Sequence, residues 1–146
     1  MSKTKIFDEL GGMETINRVH KIFYDKIYAH PWLGRFFKNH DQAHIEKQQS
    51  NFMAERFGSP KTYIGQMPIY AHNHIYITNE LFETRQAILK ESLQEAGLSP
   101  DLIESWLFVD SAFKQQVVNQ SYTSFKEVET HKGRIVVPKD KDDIIF

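Results

Sequence analysis

The chain contains no cysteine. That excludes disulfides, thiolate catalysis, and zinc or iron–sulfur sites built on sulfur ligands. It also has almost no net charge: 18 Lys and Arg face 19 Asp and Glu, a formal −1. No overall basic field is available to hold nucleic acid or an acidic membrane surface. No apolar run is long enough to span a bilayer. The opening Met1-Ser2-Lys3-Thr4-Lys5-Ile6 lacks the apolar stretch of a signal peptide. The expectation is a cytoplasmic protein without nucleic-acid or membrane partners. Glycine and proline are sparse, 7 and 5 in 146 residues, so each one marks a boundary.

What is present is apolar and aromatic. Apolar residues make up 40% of the chain and aromatics 13%, including 11 Phe. This suits one domain with a dense core, or with a pocket for a large flat ligand.

The periodicity predicts an all-α fold. A short helix at Phe7-Asp8-Glu9-Leu10 stops at Gly11-Gly12. A long helix follows from Met13 to His30, with Ile16, Val19, Phe23, Tyr24, Ile27 and Tyr28 on one face. His30-Pro31 ends it, and Pro31 opens a short helix through Trp32, Leu33, Phe36 and Phe37. Asp41 caps a helix over Gln42 to Phe57 whose inward stripe is Ile45, Gln48 or Gln49, Phe52, Met53 and Phe57. Lys61 to Pro68 reads as a loop. Thr78 caps a helix from Asn79 to Ala96, closed by Gly97. Ser99-Pro100 opens a last long helix carrying Leu102, Trp106, Val109, Phe113 and Val117. Residues 1–121 form the domain, and the charged stretch 122–146 reads as a tail or surface strap.

The stretch Tyr70-Ala71-His72-Asn73-His74-Ile75-Tyr76-Ile77-Thr78 is where chemistry enters. An imidazole among apolar side chains is how a protein presents a ligand to a buried metal or haem iron. His72 and His74 are two residues apart, so a single helical face cannot aim both at one metal. Alone, either is more often a hydrogen-bonded core histidine than a ligand. The helices with Tyr24 and with Gln48 and Gln49 can form one wall of a pocket, and those with Phe82 and Phe113 the other. His72 then projects from the segment between. Such a slot can hold a haem.

At these residues the sequence resembles the truncated, two-over-two haemoglobins of group I. The matching elements begin with Phe7-Asp8-Glu9-Leu10-Gly11-Gly12, then Phe23-Tyr24 and Phe36-Phe37, then Asp41 with Phe52 and Phe57-Gly58. Tyr63 with Gly65 follows, then Ala71-His72 with Ile77-Thr78 and Phe82, and finally Val117-Val118-Asn119-Gln120. Their order and spacing agree from residue 5 to residue 120, and the joint pattern carries the resemblance.

The resemblance implies a two-over-two helical sandwich around non-covalent haem b. His72 becomes the proximal ligand and His74 points elsewhere. Tyr24 matches the distal tyrosine, Ile45 a gate, and Gln48 and Gln49 two distal positions one turn along. Gln49 is the partner of a tyrosine–glutamine pair acting on the ligand. Phe37 packs on the haem at the corner, and Tyr63 reaches a propionate. Phe52, Ile77, Phe82, Phe113 and Val117 line the pocket. The implied ligands are oxygen, nitric oxide and carbon monoxide. The implied function is nitric oxide dioxygenation with an unidentified reductase, or oxygen binding. Gas storage, transport or sensing without catalysis is the alternative, and a haem-free helical protein the third reading.

The chain also departs from the family. Ser59 replaces the second glycine after the distal-wall helix. Gln48 stands where some relatives carry an iron-binding histidine, and Phe113 where certain relatives carry a histidine bonded to the haem. Arg85 falls on the pocket-facing stripe of its helix. An unpaired buried guanidinium is costly, so a propionate or carboxylate partner is expected, or a snorkelling position at the edge. His20 and His44 read as solvated. Asp41 as a cap places His40 outside the helix, which removes His40 and His44 as a metal pair. Trp106 reads as core packing.

Overall fold

A computed structural model describes residues 6–37, 40–59, 77–114 and 118. It contains α1 (Ile6–Leu10), α2 (Met13–Ala29), a 3₁₀ turn (Leu33–Phe36), α3 (Gln42–Arg56), α4 (Asn79–Glu95) and α5 (Pro100–Ser111).

The boundaries follow local chemistry. Gly11 has φ +98°, and a Cβ there would meet Thr15 Oγ1 at 2.9 Å, so only glycine makes this turn easily. His30 is extended ahead of Pro31, as a residue before proline must be. Its Nδ1 then accepts from the amides of Trp32 and Leu33, both at 3.1 Å, which anchors the 3₁₀ turn. The caps of Asp41, Thr78 and Ser99 each accept from the amide three residues on. Gly34 presses on the end of α2: a Cβ there would lie 2.6 Å from the Tyr28 carbonyl oxygen.

The central element is α2. Its face of Ile16, Val19, Phe23 and Ile27 is essentially sealed from solvent. Each such side chain contributes roughly 1.5–3 kcal/mol through burial. α2 runs antiparallel to α3, where His20 meets Ser50 and Asp25 meets Gln42. It also runs antiparallel to α4, where Arg18 donates to the Ala96 carbonyl and Lys26 reaches Glu91 and Glu95. α4 and α5 form a second antiparallel pair, joined by Arg85–Asp110, Gln86–Ser111 and Glu83–Lys114. One helix pair therefore lies against the other, with α2 on α4 at the centre. α1 is held to the far end of α3 by the Phe7 amide donating to the Phe57 carbonyl at 2.9 Å.

The last helix differs from expectation. It closes at Ser111 instead of continuing through Phe113. The amides of Ala112 and Phe113 turn to the carbonyls three residues back, Val109 and Asp110, which tightens the end of the helix. The Val118 amide then bonds to the Lys114 carbonyl at 2.9 Å. The loop before residue 77, the histidine-bearing stretch up to Tyr76 and the tail at 122–146 lie outside the described residues. No described helix is long and apolar enough to cross a membrane.

Candidate functional site

Tyr24 sits on α2 one turn after His20 and is 6% exposed. Its ring lies edge-on to Phe23, 4.9 Å between centroids, and to Phe37 at 6.1 Å. Among the described residues its hydroxyl has no hydrogen-bond partner. Burial pushes the phenol pKa well above its usual value, against the opposing charge of Arg85. Tyr24 is therefore a protonated, desolvated donor with no acceptor among the described residues. Leaving such a group unsatisfied costs about 1–3 kcal/mol.

The other expected pocket residues fall around it. Phe52, Ile77 and Phe82 are buried, and Phe37, Ile45 and Phe113 are half-buried, all within one apolar cluster that includes Tyr24. Phe52 and Phe113 pack with centroids 5.3 Å apart and planes tilted by 52°. The turn that ends α5 delivers Phe113 to this contact. Gln49 is half-buried on α3, one turn before Phe52, while Gln48 is exposed. His72, Tyr63 and Val117 lie outside the described residues. A separate open groove between α4 and α5, with Phe108 at its rim, is lined by none of the expected site residues.

Two features were not read from the sequence. His20 is not solvated: it is 2% exposed, and its Nδ1 lies 2.7 Å from Ser50 Oγ. The Trp106 indole packs edge-on at 5.6 Å. Burial, with Arg85 adding, pushes its pKa down to about 3, so the imidazole is neutral. The signal was available, because position 20 falls on the Ile16–Phe23–Ile27 stripe. His44 is exposed and Trp106 is core, as expected. Asp110 is the second feature. It is buried on α5 and accepts from Arg85 Nη1 at 2.9 Å and from Gln86 Nε2 at 3.3 Å. Arg85 thus has a carboxylate partner. Its guanidinium also lies 5.4 Å from the Phe23 ring centroid and 5.5 Å from that of Phe82.

Residues 5–119 match the family described as bacterial-like globin. This chain belongs to the truncated globins. The group 1 truncated haemoglobin of Tetrahymena thermophila is 31% identical over 98 residues, covering 67% of this chain and 81% of that protein. Among solved structures, the truncated haemoglobin of Tetrahymena pyriformis in its Fe(III) form aligns with TM-score 0.72 at 28% identity, over 80% of this chain and 100% of that one. The 2/2 haemoglobin from Synechococcus sp. PCC 7002, in the cyanomet state with covalently attached haem, aligns with TM-score 0.75 at 27% identity over the same shares. The expected all-α, two-over-two globin fold is therefore the one observed.

Membership in the truncated globins implies haem and a diatomic ligand. The described residues fit that group. A globin needs an apolar, aromatic-lined wall with a dry donor facing the ligand. The cluster around Phe37, Phe52, Phe82 and Phe113 supplies the wall. Tyr24, whose hydroxyl has no partner among the described residues, is available as such a donor.

Proposed function

We propose that this truncated globin binds haem b non-covalently through His72. We further propose that it uses the site, in the cytoplasm, to consume nitric oxide with dioxygen, an unidentified reductase restoring the iron. When bound, the haem supplies coordination of diatomic gases and the electron that the reaction needs. Tyr24 would donate its buried hydroxyl to a partly negative bound gas, with Gln49 as second donor, Gln48 at the neighbouring distal position and Ile45 as gate. Tyr63 secures the haem edge. Phe37, Phe52, Ile77, Phe82, Phe113 and Val117 exclude water, which strengthens the Tyr24 bond. Phe113 has no atom suited to bonding the haem covalently, which supports non-covalent binding.

The observation that carries this reading is the buried Tyr24 hydroxyl, which has no partner among the described residues. It makes sense when the pocket holds an acceptor.

The test begins with absorption spectra, ferric and then reduced, with and without carbon monoxide. A Soret band that moves at each step is expected. His72→Ala should abolish it and His74→Ala should not; the reverse reassigns the ligand. Oxygenated protein mixed with nitric oxide should then give nitrate and ferric protein rapidly. A slow or absent reaction would replace the dioxygenase reading with gas storage, transport or sensing.

A further inference from the structure

The Arg85–Asp110 pair joins α4 to α5, yet its guanidinium is not placed for that purpose alone. It lies between two aromatic rings, Phe23 on α2 and Phe82 on α4. Phe23 packs edge-on against Tyr24 at 4.9 Å, and Phe82 belongs to the pocket wall. The carboxylate of Asp110, buried on α5, lies 2.9 Å from Arg85 Nη1. The pair is therefore a fixed dipole whose positive end faces α2 and whose negative end faces α5. Two rings and a carboxylate hold the guanidinium more firmly than a lone arginine would be held, although its side chain stays 27% exposed.

Building on the haem reading above, we propose that Arg85 is a positioning and selectivity residue for the distal pocket. Its guanidinium biases the Tyr24 side toward ligands that carry negative charge and away from neutral ones. The mechanism is electrostatic. A partly buried charge, held in place by a buried carboxylate, is screened less than one at the open surface and acts over several ångströms. Arg85 opposes the burial-driven rise of the Tyr24 pKa more strongly than Asp110 adds to it, which agrees with the dipole's direction. Dioxygen and azide develop or carry negative charge in such a pocket, whereas carbon monoxide is nearly neutral and serves as the internal reference.

The test uses haem-loaded full-length protein, with azide as the anionic probe of the ferric form and carbon monoxide as the vibrational probe of the ferrous form. In R85M/D110N both charges are removed at similar volume. Azide affinity and dioxygen retention should fall about three- to tenfold, the C–O stretch should rise, and carbon monoxide release should change less than twofold. In D110N only the negative end is lost, so the shifts should reverse: tighter azide and a lower C–O stretch. A purely structural clamp would move both variants in the same direction or leave the stretch unchanged, and either result overturns the assignment. Should the double variant not fold, D110N decides alone, because failure to tighten azide binding overturns it. A wild-type chain that takes up no haem overturns the underlying reading instead, and is recognised by its missing Soret band before any variant is compared.

Discussion

His20 and Tyr24 sit one turn apart on α2, and both are polar rings buried against the same core. His20 is tied: Ser50 meets one nitrogen, and Trp106 covers the ring. Tyr24 is surrounded by rings yet has no hydrogen-bond partner among the described residues. The first arrangement is what a fold needs of a buried polar group. The second leaves capacity unused, which a fold tolerates where something else is to be bound. Two neighbouring turns of one helix thus differ: His20 holds α2 to α3 and α5, and Tyr24 is left available for the ligand that the proposed function assigns to it.

The contrast can be broken by substitution. On stability, His20→Ala should have the largest effect. It removes a ring from a sealed site and strands Ser50, a loss of about 2–4 kcal/mol measurable by urea unfolding. Acid should act through the same residue. Because the folded pKa of His20 is depressed from 6.5 to about 3, the unfolded chain binds the extra proton first. The stability tied to neutral His20 is fully present above pH 6.5. It falls as pH drops toward 3, by about 1 kcal/mol per pH unit. Unfolding curves at pH 7, 6 and 5 check this, and His20→Gln should flatten the slope. Ser50→Ala should lower stability by about 1–2 kcal/mol, since it leaves the buried imidazole without its partner.

Tyr24→Phe should barely register on the same scale, within about 0.5 kcal/mol or slightly stabilising, because no hydrogen bond among the described residues is lost. Its effect belongs to the gas. Loss of a charge-assisted bond of about 1.5–3 kcal/mol should speed dioxygen release ten- to a hundredfold or more. A large stability loss with unchanged release would invert the comparison and make Tyr24 the structural residue.

Much of this fold could be read locally. Asp41, Thr78 and Ser99 act as caps where the sequence places them, and Pro31 and Gly97 end helices by rules that need no tertiary knowledge. The early end of α5 was not legible, because Phe113 continues the apolar spacing and the turn at Ala112 carries neither glycine nor proline. Residue type misled at His20: its place on the stripe argued for burial, and its polarity argued against. Arg85 signalled a carboxylate without saying which one. Asp110 is on another helix, 25 positions along, and only packing brings the two together. Tyr24 was legible by position, but its lack of a partner required coordinates.

Gly34 carries a consequence for how this protein can diversify. Its backbone torsion is not in the left-handed region, so alanine looks harmless there when torsion alone is considered. The obstacle is the neighbouring strand of chain: a methyl group would collide with the Tyr28 carbonyl. Gly97 is the reverse case, constrained by its torsion but open in space. Asparagine can stand in at such a left-handed position, whereas nothing smaller than a methyl exists for position 34. Substitution can therefore pass at one glycine and is blocked at the other, so the corner between α2 and α3 tolerates less change than the α4–α5 turn.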